Sequence, residues 1–591
     1  MRVIVAHTAG FCMGVRRAMN KAFITLGHEK GPIYTHGPII HNPQVVKLLE
    51  ERGVTKLEEI GRDLDGTIII RAHGISPRER DEIRSTRLEV VDATCPKVAR
   101  VHAAAKKHHQ LGYLVVVVGD EDHAEVRGIL GYTWGEGRVL SRAEEAKRLP
   151  GAEKVLVVAQ TTFGREMFYE ILDAIHERYP KSEIKAIDTI CDSTRRRQDE
   201  VKELARRVDA MVIVGGKTSG NTKRLFDVST QSGVPSFHVE DETELDPKKL
   251  KKFKTIGLTA GASTPNWVIM KVADFLSGIG KEVPEGRLRI RWARQKLIKA
   301  LRFMVLTNIY AAISAGGLAI AAACLLGVND FWKMPLISGL FIFSMYILNR
   351  TQDPEAMKFN DPQRERFYRN KRGALTAGSV VSSLVSMLLA LTISPTAFLL
   401  LIAATLLGVA YSVKVLPPFL TKYLKYRRLK DIPASKTFFV AGAWAGVSAA
   451  MPYLSAVDKT RFSSFVVVFA FCFFVVLTRA ALYDIRDIQG DAVVGRETIP
   501  ILIGKKWTQI LVLMFIGLVT ALMIASAVGG LITPLAYPLL IIPAYSLLSL
   551  YLYHRRVIFQ GTLFELVTDF EFIMAGLVSV LWFWIKGGAG I

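Results

Sequence analysis

Apolar stretches long enough to cross a bilayer recur from about residue 303 to the end of the 591-residue chain, and they limit its fold more than any other feature. Backbone polar groups inside a bilayer must be paired within the protein, which favours helices for such stretches. The residues before about 280 differ, because charge is interspersed there with short apolar runs such as YLVVVVG and AMVIVGG. The sequence therefore predicts a soluble first half and an all-α, polytopic membrane domain in the second half.

The membrane domain is predicted to contain about nine helices. Their approximate bounds are 303–326, 334–348, 374–393, 396–413, 437–455, 464–482, 508–529, 533–553 and 567–586. Long basic loops alternate with short, weakly charged turns, so the positive-inside rule predicts that the long loops and the soluble half are cytoplasmic. An odd number of spans then puts the C-terminus outside. We expect a multi-pass protein of the cell inner membrane. The opening MRVIVAHTAGFC is typical of a strand and loop rather than of a signal peptide, which also predicts a cytoplasmic first half.

The net charge of +22 indicates a binding partner only when the positions of the basic residues along the chain are considered. Basic residues lie mainly beside and between the apolar stretches, which favours contact with membrane lipid and argues against nucleic acid. In residues 281–302, Pro284 and Gly286 precede a basic run with Ile, Trp and Leu between the charges. This segment is predicted to be a linker followed by an amphipathic helix at the bilayer surface, with a solvated connector as the alternative.

Short, nearly continuous apolar strands alternate with helical segments throughout the first half, from MRVIVAH to KTIGLTAGAS. This alternation indicates parallel α/β layers. Ligands in such sheets are bound by loops at the carboxyl ends of the strands. The chemically interesting side chains of this half all fall in loops of that kind.

Three of these loops carry a cysteine, namely Cys12 in AGFCMGV, Cys95 in DATCPKV and Cys191 in DTICDST. Five cysteines in the whole chain do not make a disulfide framework, and a reducing compartment fits them best. We predict a three-lobed α/β domain, pseudo-threefold in character, that gathers one thiolate from each lobe. Three thiolates can bind three of the four irons of a cubane cluster, which leaves one iron without a protein ligand. The alternatives are three buried apolar cysteines, or a zinc site, which is disfavoured because no CxxC pair is present.

Neutral polar side chains accompany the cysteines at the predicted strand ends. They are His41, His73, His123, Thr161, Ser219, Asn221 and Ser263. Imidazoles, hydroxyls and an amide, with glycines that let the backbone approach, suit a phosphate or diphosphate group. A single loop histidine would be unremarkable, but three histidines beside cysteine loops indicate a common site.

The motifs together resemble one family closely. They are GFCMGV, HGPIIHN, AHGI, DATCPKV, HAEVRGILG, AQTT, DTICDSTRRRQ, GGKTSGNTKRL and TAGASTPNWV, in the family's order over about residues 1–280. The chain thus resembles the 4-hydroxy-3-methylbut-2-enyl diphosphate reductases, the LytB family. One departure is Gly220, where family members often have a second serine before the asparagine, and it puts only that contact with the diphosphate in doubt.

The resemblance implies three similar lobes around a [4Fe-4S] cluster held by Cys12, Cys95 and Cys191, with one iron free for the allylic hydroxyl of the substrate. The seven polar residues would surround the diphosphate and hydroxymethyl groups. Electrons would come from a ferredoxin, a flavodoxin or an NAD(P)H-linked reductase. Reductive removal of a hydroxyl also needs a proton, and Glu125 is the candidate donor because a carboxylic acid in a dry site keeps its proton near neutral pH. The alternative for Glu125 is a solvated loop acid beside Glu121 and Asp122.

Two loops at the ends of predicted spans in the membrane half are rich in acidic residues. YDIRDIQGD places Asp484, Asp487 and Asp491 on one face of a helical continuation. Like charges in that arrangement repel unless they are neutralised, and Mg²⁺ bridging to a diphosphate is a common solution. A second loop, NRTQDPEAMKFNDPQRERF, offers Asn349, Asp353, Glu355 and Asp361, with Arg350 and Arg364 nearby.

The membrane half resembles the UbiA superfamily of intramembrane prenyltransferases over about residues 300–591. The spans and DIRDIQGD followed by GRETIPILIGKK are good matches, and NRTQD is a partial one. This resemblance implies a metal-bound prenyl diphosphate between the two acidic loops, loss of diphosphate, and attack by an aromatic or other acceptor. The first loop departs from the fuller pattern, because Met357 stands where an aspartate is expected four residues beyond Asp353. Glu355 and Asp361 are the two candidates to replace it.

The sequence thus predicts a bifunctional enzyme with a reductase domain at 1–280, a basic linker at 281–302 and a prenyltransferase-like domain at 303–591. The reductase would make isopentenyl and dimethylallyl diphosphate, and the membrane half would use a longer prenyl diphosphate. Two alternatives remain open at this point. One is a cluster-based redox sensor that gates a membrane carrier, and the other is a reductase with an inactive membrane anchor.

Overall fold

The structure, a computed structural model, describes residues 1–28, 31–61, 63–279, 288–352, 354–412, 429–456, 461–555 and 561–588. The chain forms two compact units, Met1–Val283 and Pro284–Ile591. Asp353, the start of the predicted linker and most of the basic segment between the predicted spans 396–413 and 437–455 lie outside the described residues.

The first unit alternates strands and helices. The strands are β1 (Arg2–Val5), β2 (Ile33–His36), β3 (Val54–Leu57), β4 (Thr67–Ile70), β5 (Glu89–Asp92), β6 (Leu114–Val118), β7 (Arg138–Leu140), β8 (Lys154–Ala159), β9 (Glu183–Ile187), β10 (Ala210–Val214), β11 (Ser236–Val239) and β12 (Thr255–Ala260). The helices are α1 (Met13–His28), α2 (Pro43–Glu50), α3 (Pro77–Arg84), α4 (Pro96–Gln110), α5 (Ala124–Gly131), α6 (Arg165–Arg178), α7 (Asp192–Ala205), α8 (Gly220–Gln231), α9 (Pro247–Leu250) and α10 (Asn266–Gly278). Alternation of this kind is typical of parallel sheets with helical crossovers.

These strands form three four-stranded sheets with the same internal order. The orders are β3-β2-β4-β5, β7-β6-β8-β9 and β11-β10-β12-β1, and every recorded pairing is parallel. In each lobe, the first strand, which is β2, β6 or β10, is an inner strand. The second strand pairs with one side of it and forms an edge of the sheet. The third strand pairs with its other side, and the fourth strand forms the opposite edge. The third lobe takes its fourth strand, β1, from the start of the chain. The structure therefore confirms the predicted α/β fold with three parallel sheets.

The central strands of each sheet are buried because helices cover both faces. In β6, the side chains of Val115–Val118 are all buried, and β10 and β12 are likewise buried almost throughout. Continuous burial explains why these strands are unbroken apolar runs rather than alternating ones. Such strands end abruptly in polar loops, which is where the site residues lie.

The second unit is helical. Its helices are α11 (Leu288–Leu306), α12 (Ile309–Leu325), α13 (Met334–Gln352), α14 (Pro354–Asn360), α15 (Pro362–Leu391), α16 (Pro395–Ser412), α17 (Ser435–Ser455), α18 (Phe462–Val493), α19 (Ile499–Leu502), α20 (Lys505–Val528), α21 (Ile541–His554) and α22 (Thr562–Gly588). Small residues let these helices approach closely, since a Cβ added to Gly576 of α22 would lie 2.7 Å from the Cα of Gly317 of α12.

Fewer helices than the nine predicted are long and apolar enough to span a membrane. Six of the described helical segments are, at Pro362–Leu391, Ser435–Ser455, Phe462–Val493, Lys505–Val528, Pro534–His554 and Thr562–Lys586. A seventh span results if Lys296–Leu306 and Ile309–Leu325 count as one helix bent by 77°. The bend lies at Asn308, whose φ of 63° is in the left-handed region that asparagine tolerates.

The prediction of about nine spans is therefore corrected to six or seven within the described part of the chain. All nine predicted apolar stretches fall on helices, but two of those helices do not qualify as spans. Helix α13 ends in the polar residues Asn349 and Arg350, which lower its mean hydropathy, and the apolar helix Pro395–Tyr411 is short. Both helices line the cavities described below.

Candidate active sites

The polar residues of the first unit occupy equivalent positions in the three lobes. One set follows the first strand of each lobe, five residues after it ends: His41 after His36, His123 after Val118 and Ser219 after Val214. A second set follows the third strand: His73 after Ile70, Thr161 after Ala159 and Ser263 after Ala260. Because the strands of a sheet are parallel, both loops of a lobe lie at the same edge of its sheet.

The cysteines follow the fourth strand of each lobe and precede a helix. Cys95 and Cys191 are the N-cap residues of α4 and α7, and Cys12 lies just before α1. Each cysteine donates its backbone N–H to a carbonyl in the loop after the third strand of its own lobe. The acceptors are Ala262 for Cys12 at 3.1 Å, Ala72 for Cys95 at 2.9 Å and Thr161 for Cys191 at 2.9 Å. The same local bond therefore fixes all three cysteine loops.

One cavity of about 90 Å³ brings these loops together, and we call it the cysteine cavity. Its lining includes every site residue predicted for this half: Cys12, His41, His73, Cys95, His123, Glu125, Thr161, Cys191, Ser219, Asn221 and Ser263. These residues come from all three lobes. The sequence could place each of them at a strand end, but only the fold joins the three edges.

The three thiols are close enough to influence one another. Burial raises the pKa of the Cys95 thiol, and the neighbouring Cys12 and Cys191 raise it further. A Cβ added to Gly14 would lie 2.5 Å from Sγ of Cys95 and 4.0 Å from Sγ of Cys12, so glycine at this position lets two cysteine loops approach. Three converging thiolates repel each other unless a cationic centre lies between them, and this donor set fits an iron–sulfur cluster.

Three histidines converge on the other side of the cavity. Ring centroids lie 4.7 Å apart for His41 and His73, 5.6 Å for His41 and His123, and 5.4 Å for His73 and His123. Burial lowers the pKa of all three, that of His123 to about 4, and their mutual repulsion lowers the pKa of His73 and His123 further. The imidazoles are therefore neutral at pH 7, and each can donate one N–H to an anion.

Several buried polar atoms at this site lack a hydrogen-bond partner among the described residues. They are Nε2 of His41, Nδ1 of His73 and both polar atoms of the Asn221 side chain. Buried polar groups without partners are costly, so these atoms are available to a ligand that enters the cavity. Ser263 differs, because its hydroxyl donates to the carbonyl of His41 at 2.9 Å.

Glu125 is buried in the first turn of α5, not solvated in a loop. Its carboxyl oxygens accept hydrogen bonds from the backbone N–H of Thr161 at 2.7 Å and from the Thr161 hydroxyl at 2.9 Å. Burial raises the pKa of Glu125 to about 7, although the bonds from Thr161 oppose this rise. The carboxyl group can therefore hold a proton near neutral pH.

A polar pocket of about 200 Å³ lies in the second unit, between helices α13–α18. Its charged lining comprises Arg350, Asp361, Arg364, Lys430, Lys436, Arg479, Asp484, Arg486, Asp487 and Arg496. Basic residues predominate. A concentration of guanidinium and ammonium groups at a cavity is typical of sites that bind phosphate groups.

An apolar chamber of about 710 Å³ adjoins the polar pocket. Tyr346, Asn349, Tyr411 and Val440 line both cavities, and the chamber is otherwise walled by apolar side chains such as Phe341 and Trp444. The combination of a basic pocket with a long apolar chamber suits an amphiphile with an anionic head and a hydrocarbon tail.

The predicted acidic residues of this half lie at the polar pocket, but they have partners. Asp484 and Asp487 line it, and Asp491 is buried behind them on α18. Asp487 is paired with Arg486 at 2.7 and 3.0 Å. In the first acidic loop, Asn349, Met357 and Asp361 line the pocket, and Glu355 is exposed on α14.

Sequence reasoning missed several basic residues at these sites. Lys436 and Arg486 pair with the aspartates of α18, and Arg479 lines the pocket while pairing with Asp569 at 2.6 Å. In the first unit, the buried Arg197 donates to the carbonyl of Gly10 at 2.7 Å and so supports the Cys12 loop. The sequence does show Lys436 as a single basic residue next to a predicted span. Its partners could not be recognised, because they lie on another helix.

Comparison with known proteins gave a separate match for each half. Residues 3–277 match the family model described as LytB protein, and residues 309–560 match that of the UbiA prenyltransferase family. The 4-hydroxy-3-methylbut-2-enyl diphosphate reductase of Geotalea uraniireducens (strain Rf4) is 46% identical over 282 residues, which are 48% of this chain and 99% of that protein. The reductase of the same name from Aquifex aeolicus (strain VF5) is 42% identical over 289 residues, 48% of this chain and 98% of that protein.

A solved structure resembles the second half. The apo structure of a UbiA homolog from Aeropyrum pernix K1 is 17% identical in sequence, and the match covers 46% of this chain and 98% of that protein with a TM-score of 0.37.

Proposed function

Because the chain belongs to the LytB family over residues 3–277 and carries a UbiA prenyltransferase family domain over residues 309–560, we propose that it combines two reactions of isoprenoid chemistry. The first unit would convert 4-hydroxy-3-methylbut-2-enyl diphosphate into isopentenyl and dimethylallyl diphosphate. The membrane domain would transfer a prenyl group from a longer prenyl diphosphate to an aromatic or lipid acceptor. The observation that carries the first proposal is the cysteine cavity, where three thiols, three histidines and a buried acid meet.

The cluster ligands in this proposal are Cys12, Cys95 and Cys191. When bound, a [4Fe-4S] cluster would supply the electrons and a Lewis-acidic iron for the hydroxyl group. The protein's part is to hold three thiolates at one edge of the cavity with the backbone bonds described above. A low-potential carrier such as a ferredoxin or flavodoxin, or an NAD(P)H-linked reductase, would deliver the electrons.

The diphosphate would be bound by neutral donors. His41, His73, His123, Thr161, Ser219, Asn221 and Ser263 are assigned to the diphosphate and hydroxymethyl groups of the substrate. Support comes from the buried atoms of His41, His73 and Asn221 that lack partners among the described residues. Neutral imidazoles gain a proton more readily once an anion is bound, so the diphosphate and the protons of these rings would stabilise each other.

The reaction breaks the allylic carbon–oxygen bond, takes up two electrons and two protons, and releases water. Hydroxide is a poor leaving group, so a proton has to reach its oxygen as the bond breaks. Glu125 is assigned this step, since its carboxyl group is buried, lies in the cavity and has a pKa near neutrality. Thr161 would hold the carboxyl group in place.

The prenyl-transfer proposal is supported by the polar pocket and the apolar chamber together. Asn349, Asp353, Asp484, Asp487 and Asp491 are assigned to the diphosphate and its Mg²⁺, with Asp353 outside the described residues. Oxygen ligands of this kind are those that Mg²⁺ prefers, and the chamber is wide enough for a prenyl chain. In this proposal the first unit and the long loops lie on the cytoplasmic side of the inner membrane.

Two experiments test these assignments. Anaerobically purified full-length protein should oxidise reduced viologen only when 4-hydroxy-3-methylbut-2-enyl diphosphate is added, whereas a redox sensor would not turn over. The double variant Asp484→Ala with Asp487→Ala should leave this activity intact and remove at least one prenylated lipid or quinone from the cell. An unchanged lipid profile would leave the membrane half as an anchor.

A further inference from the structure

We propose that Lys436 is a built-in counter-ion of the polar pocket, which keeps divalent metal away from Asp484 and Asp491 until a diphosphate arrives. This inference rests on the proposed prenyl-transfer function and adds an order of binding to it. Metal and diphosphate would enter together, and metal alone would bind weakly.

The Lys436 ammonium group lies between two buried carboxylates. Its Nζ lies 3.0 Å from Oδ1 of Asp484 and 2.9 Å from Oδ2 of Asp491. The two aspartates lie two helical turns apart on α18, and Lys436 reaches them from the start of α17. A metal ion that bridged these two carboxylates would have to take the place of the ammonium group.

The remaining oxygens of the two carboxylates are also engaged. The Thr437 hydroxyl donates to Oδ2 of Asp484, and the side-chain amide of Asn360 donates to Oδ1 of Asp491 at 2.9 Å. Both aspartates are almost completely buried, at 1% and 0% exposure. Buried carboxylates need a cation for their stability, and Lys436 supplies the cation that contacts both of them, while Arg496 lies farther away, 3.7 Å from Oδ1 of Asp491.

The third aspartate of α18 is neutralised separately. Arg486 contacts both oxygens of Asp487, at 2.7 and 3.0 Å, and also reaches Glu565 at 3.2 Å. A guanidinium group in a two-point contact exchanges its partner less readily than an ammonium group with one flexible stem. Lys436 is therefore the cation of this set that is suited to move.

A bound diphosphate would attract the Lys436 ammonium group away from the two carboxylates. The anion brings negative charge into a pocket whose charged residues are mainly basic, where the ammonium group can exchange carboxylates for phosphate oxygens. The vacated carboxylates then accept the divalent ion that accompanies the anion. Each charged group keeps a partner throughout, which is required in a site shielded from water.

The test measures metal binding rather than turnover. Full-length protein in detergent is titrated with Mn²⁺, followed by the electron paramagnetic resonance of the free ion, with and without inorganic pyrophosphate. Matched titrations without protein give the Mn²⁺ that pyrophosphate binds by itself, and this amount is subtracted. We expect pyrophosphate to tighten Mn²⁺ binding by about tenfold or more in the wild-type protein. Lys436→Gln should bind Mn²⁺ alone about as tightly as the wild-type protein binds it with pyrophosphate.

Two variants serve as controls. Lys436→Arg keeps a cation between the carboxylates, so it should bind Mn²⁺ alone as weakly as the wild-type protein does, and pyrophosphate should tighten its binding less because a guanidinium group exchanges partners less readily. Lys358→Gln removes a lysine from an exposed position on the neighbouring α14 and should have no effect. Metal sites elsewhere in the chain contribute equally to all variants, and Lys436→Met repeats the test if Lys436→Gln elutes as an aggregate.

The proposal is overturned if the wild-type protein binds Mn²⁺ equally well with and without pyrophosphate, or if neither Lys436→Gln nor Lys436→Met tightens binding of the metal alone. Failure of prenyl transfer is a separate result, since it is measured on cellular lipids. Tighter Mn²⁺ binding by Lys436→Gln would uphold the counter-ion role even if no prenylated product depended on the membrane domain.

Discussion

Thr161 is hydrogen-bonded both to the side chain of Glu125 and to the backbone of Cys191. Its N–H and hydroxyl donate to the carboxyl group of Glu125 at 2.7 and 2.9 Å, and its carbonyl accepts from the N–H of Cys191 at 2.9 Å. The proposed proton donor is thus held against the loop of a proposed cluster ligand. A fixed donor is effective only if its proton is present at working pH, which leads to the first two predictions.

Glu125→Gln should reduce substrate-dependent viologen oxidation by about 100-fold or more, since general acid catalysis contributes at least that much. Glutamine has the size of the protonated acid but no proton to give, so the brown absorption of the cluster should stay. Glu121→Gln is the matched control, because Glu121 is an exposed acid of the same loop. An unchanged rate in Glu125→Gln would remove Glu125 from the mechanism.

The same carboxyl group should make stability depend on pH. Burial raises the pKa of Glu125 to about 7, against 4.5 for an ordinary glutamic acid. The folded state therefore binds this proton more tightly than the unfolded state, and the stability gained is lost as pH rises through about 7.

Between about pH 5 and pH 7, the melting temperature of the wild-type protein should fall relative to that of Glu125→Gln as pH rises, and the difference should level off above about pH 8. Burial lowers the pKa of His41, His73 and His123, so unfolding takes up protons at these rings in part of this range, but both proteins share this contribution and it cancels in the comparison. Parallel melting curves for the two proteins would show that Glu125 is already ionised when folded.

Gly14→Ala should prevent assembly of the cluster. Its methyl group would lie 2.5 Å from Sγ and 3.1 Å from Cβ of Cys95, so the Cys95 loop has to shift. Gly27→Ala is the matched control on the same helix, because its methyl group would meet nothing within 4 Å. Iron and sulfide content should fall sharply in the first variant and stay unchanged in the second, and equal iron content in both would contradict the site.

Much of the cysteine cavity could be predicted from the sequence, because each predicted site residue lies two to seven residues after the end of a short strand. A parallel sheet collects such residues at one edge, so their grouping within a lobe follows from the strand pattern. The sequence did not reveal that β1 joins β12, 250 residues later, and thereby completes the third lobe. Pairing between distant strands depends on the packing of the whole unit rather than on local pattern.

The membrane half was less predictable for a physical reason. Hydropathy identifies helices that face lipid, whereas α13 and α16 line cavities and have polar or short segments. The aspartates of α18 were found from their spacing, but Lys436 pairs with them from another helix. Ion pairs between helices leave no periodic signal in the sequence.

Gly220→Ser should improve binding of the diphosphate substrate. A Cβ at this position would lie 3.8 Å from Nε2 of Gln160 and 3.8 Å from the ring of His123, which is ordinary contact distance. The added hydroxyl can donate one hydrogen bond into the cavity, so KM should fall about fivefold with little change in kcat. Gly220→Ala tests whether volume alone is responsible, and a lower KM in both variants would argue against the hydroxyl.

The apolar chamber should set the length of the prenyl donor. Gly446 lines it, and a Cβ there would meet nothing within 4 Å, so Gly446→Phe would place a ring in the open space. A shortened chamber excludes the far end of a long chain, and each methylene left outside loses about 0.8 kcal/mol of transfer free energy.

We therefore expect Gly446→Phe to shift the ratio of kcat/KM towards shorter prenyl diphosphates by at least about tenfold, measured with a donor series and one acceptor. Gly517→Phe is the control, since Gly517 is exposed on α20 and a Cβ there also meets nothing within 4 Å. The outcome separates two roles for the membrane half. A shift confined to Gly446→Phe identifies the chamber as the site of the hydrocarbon chain, whereas an equal shift in both variants would mean that donor length is decided elsewhere.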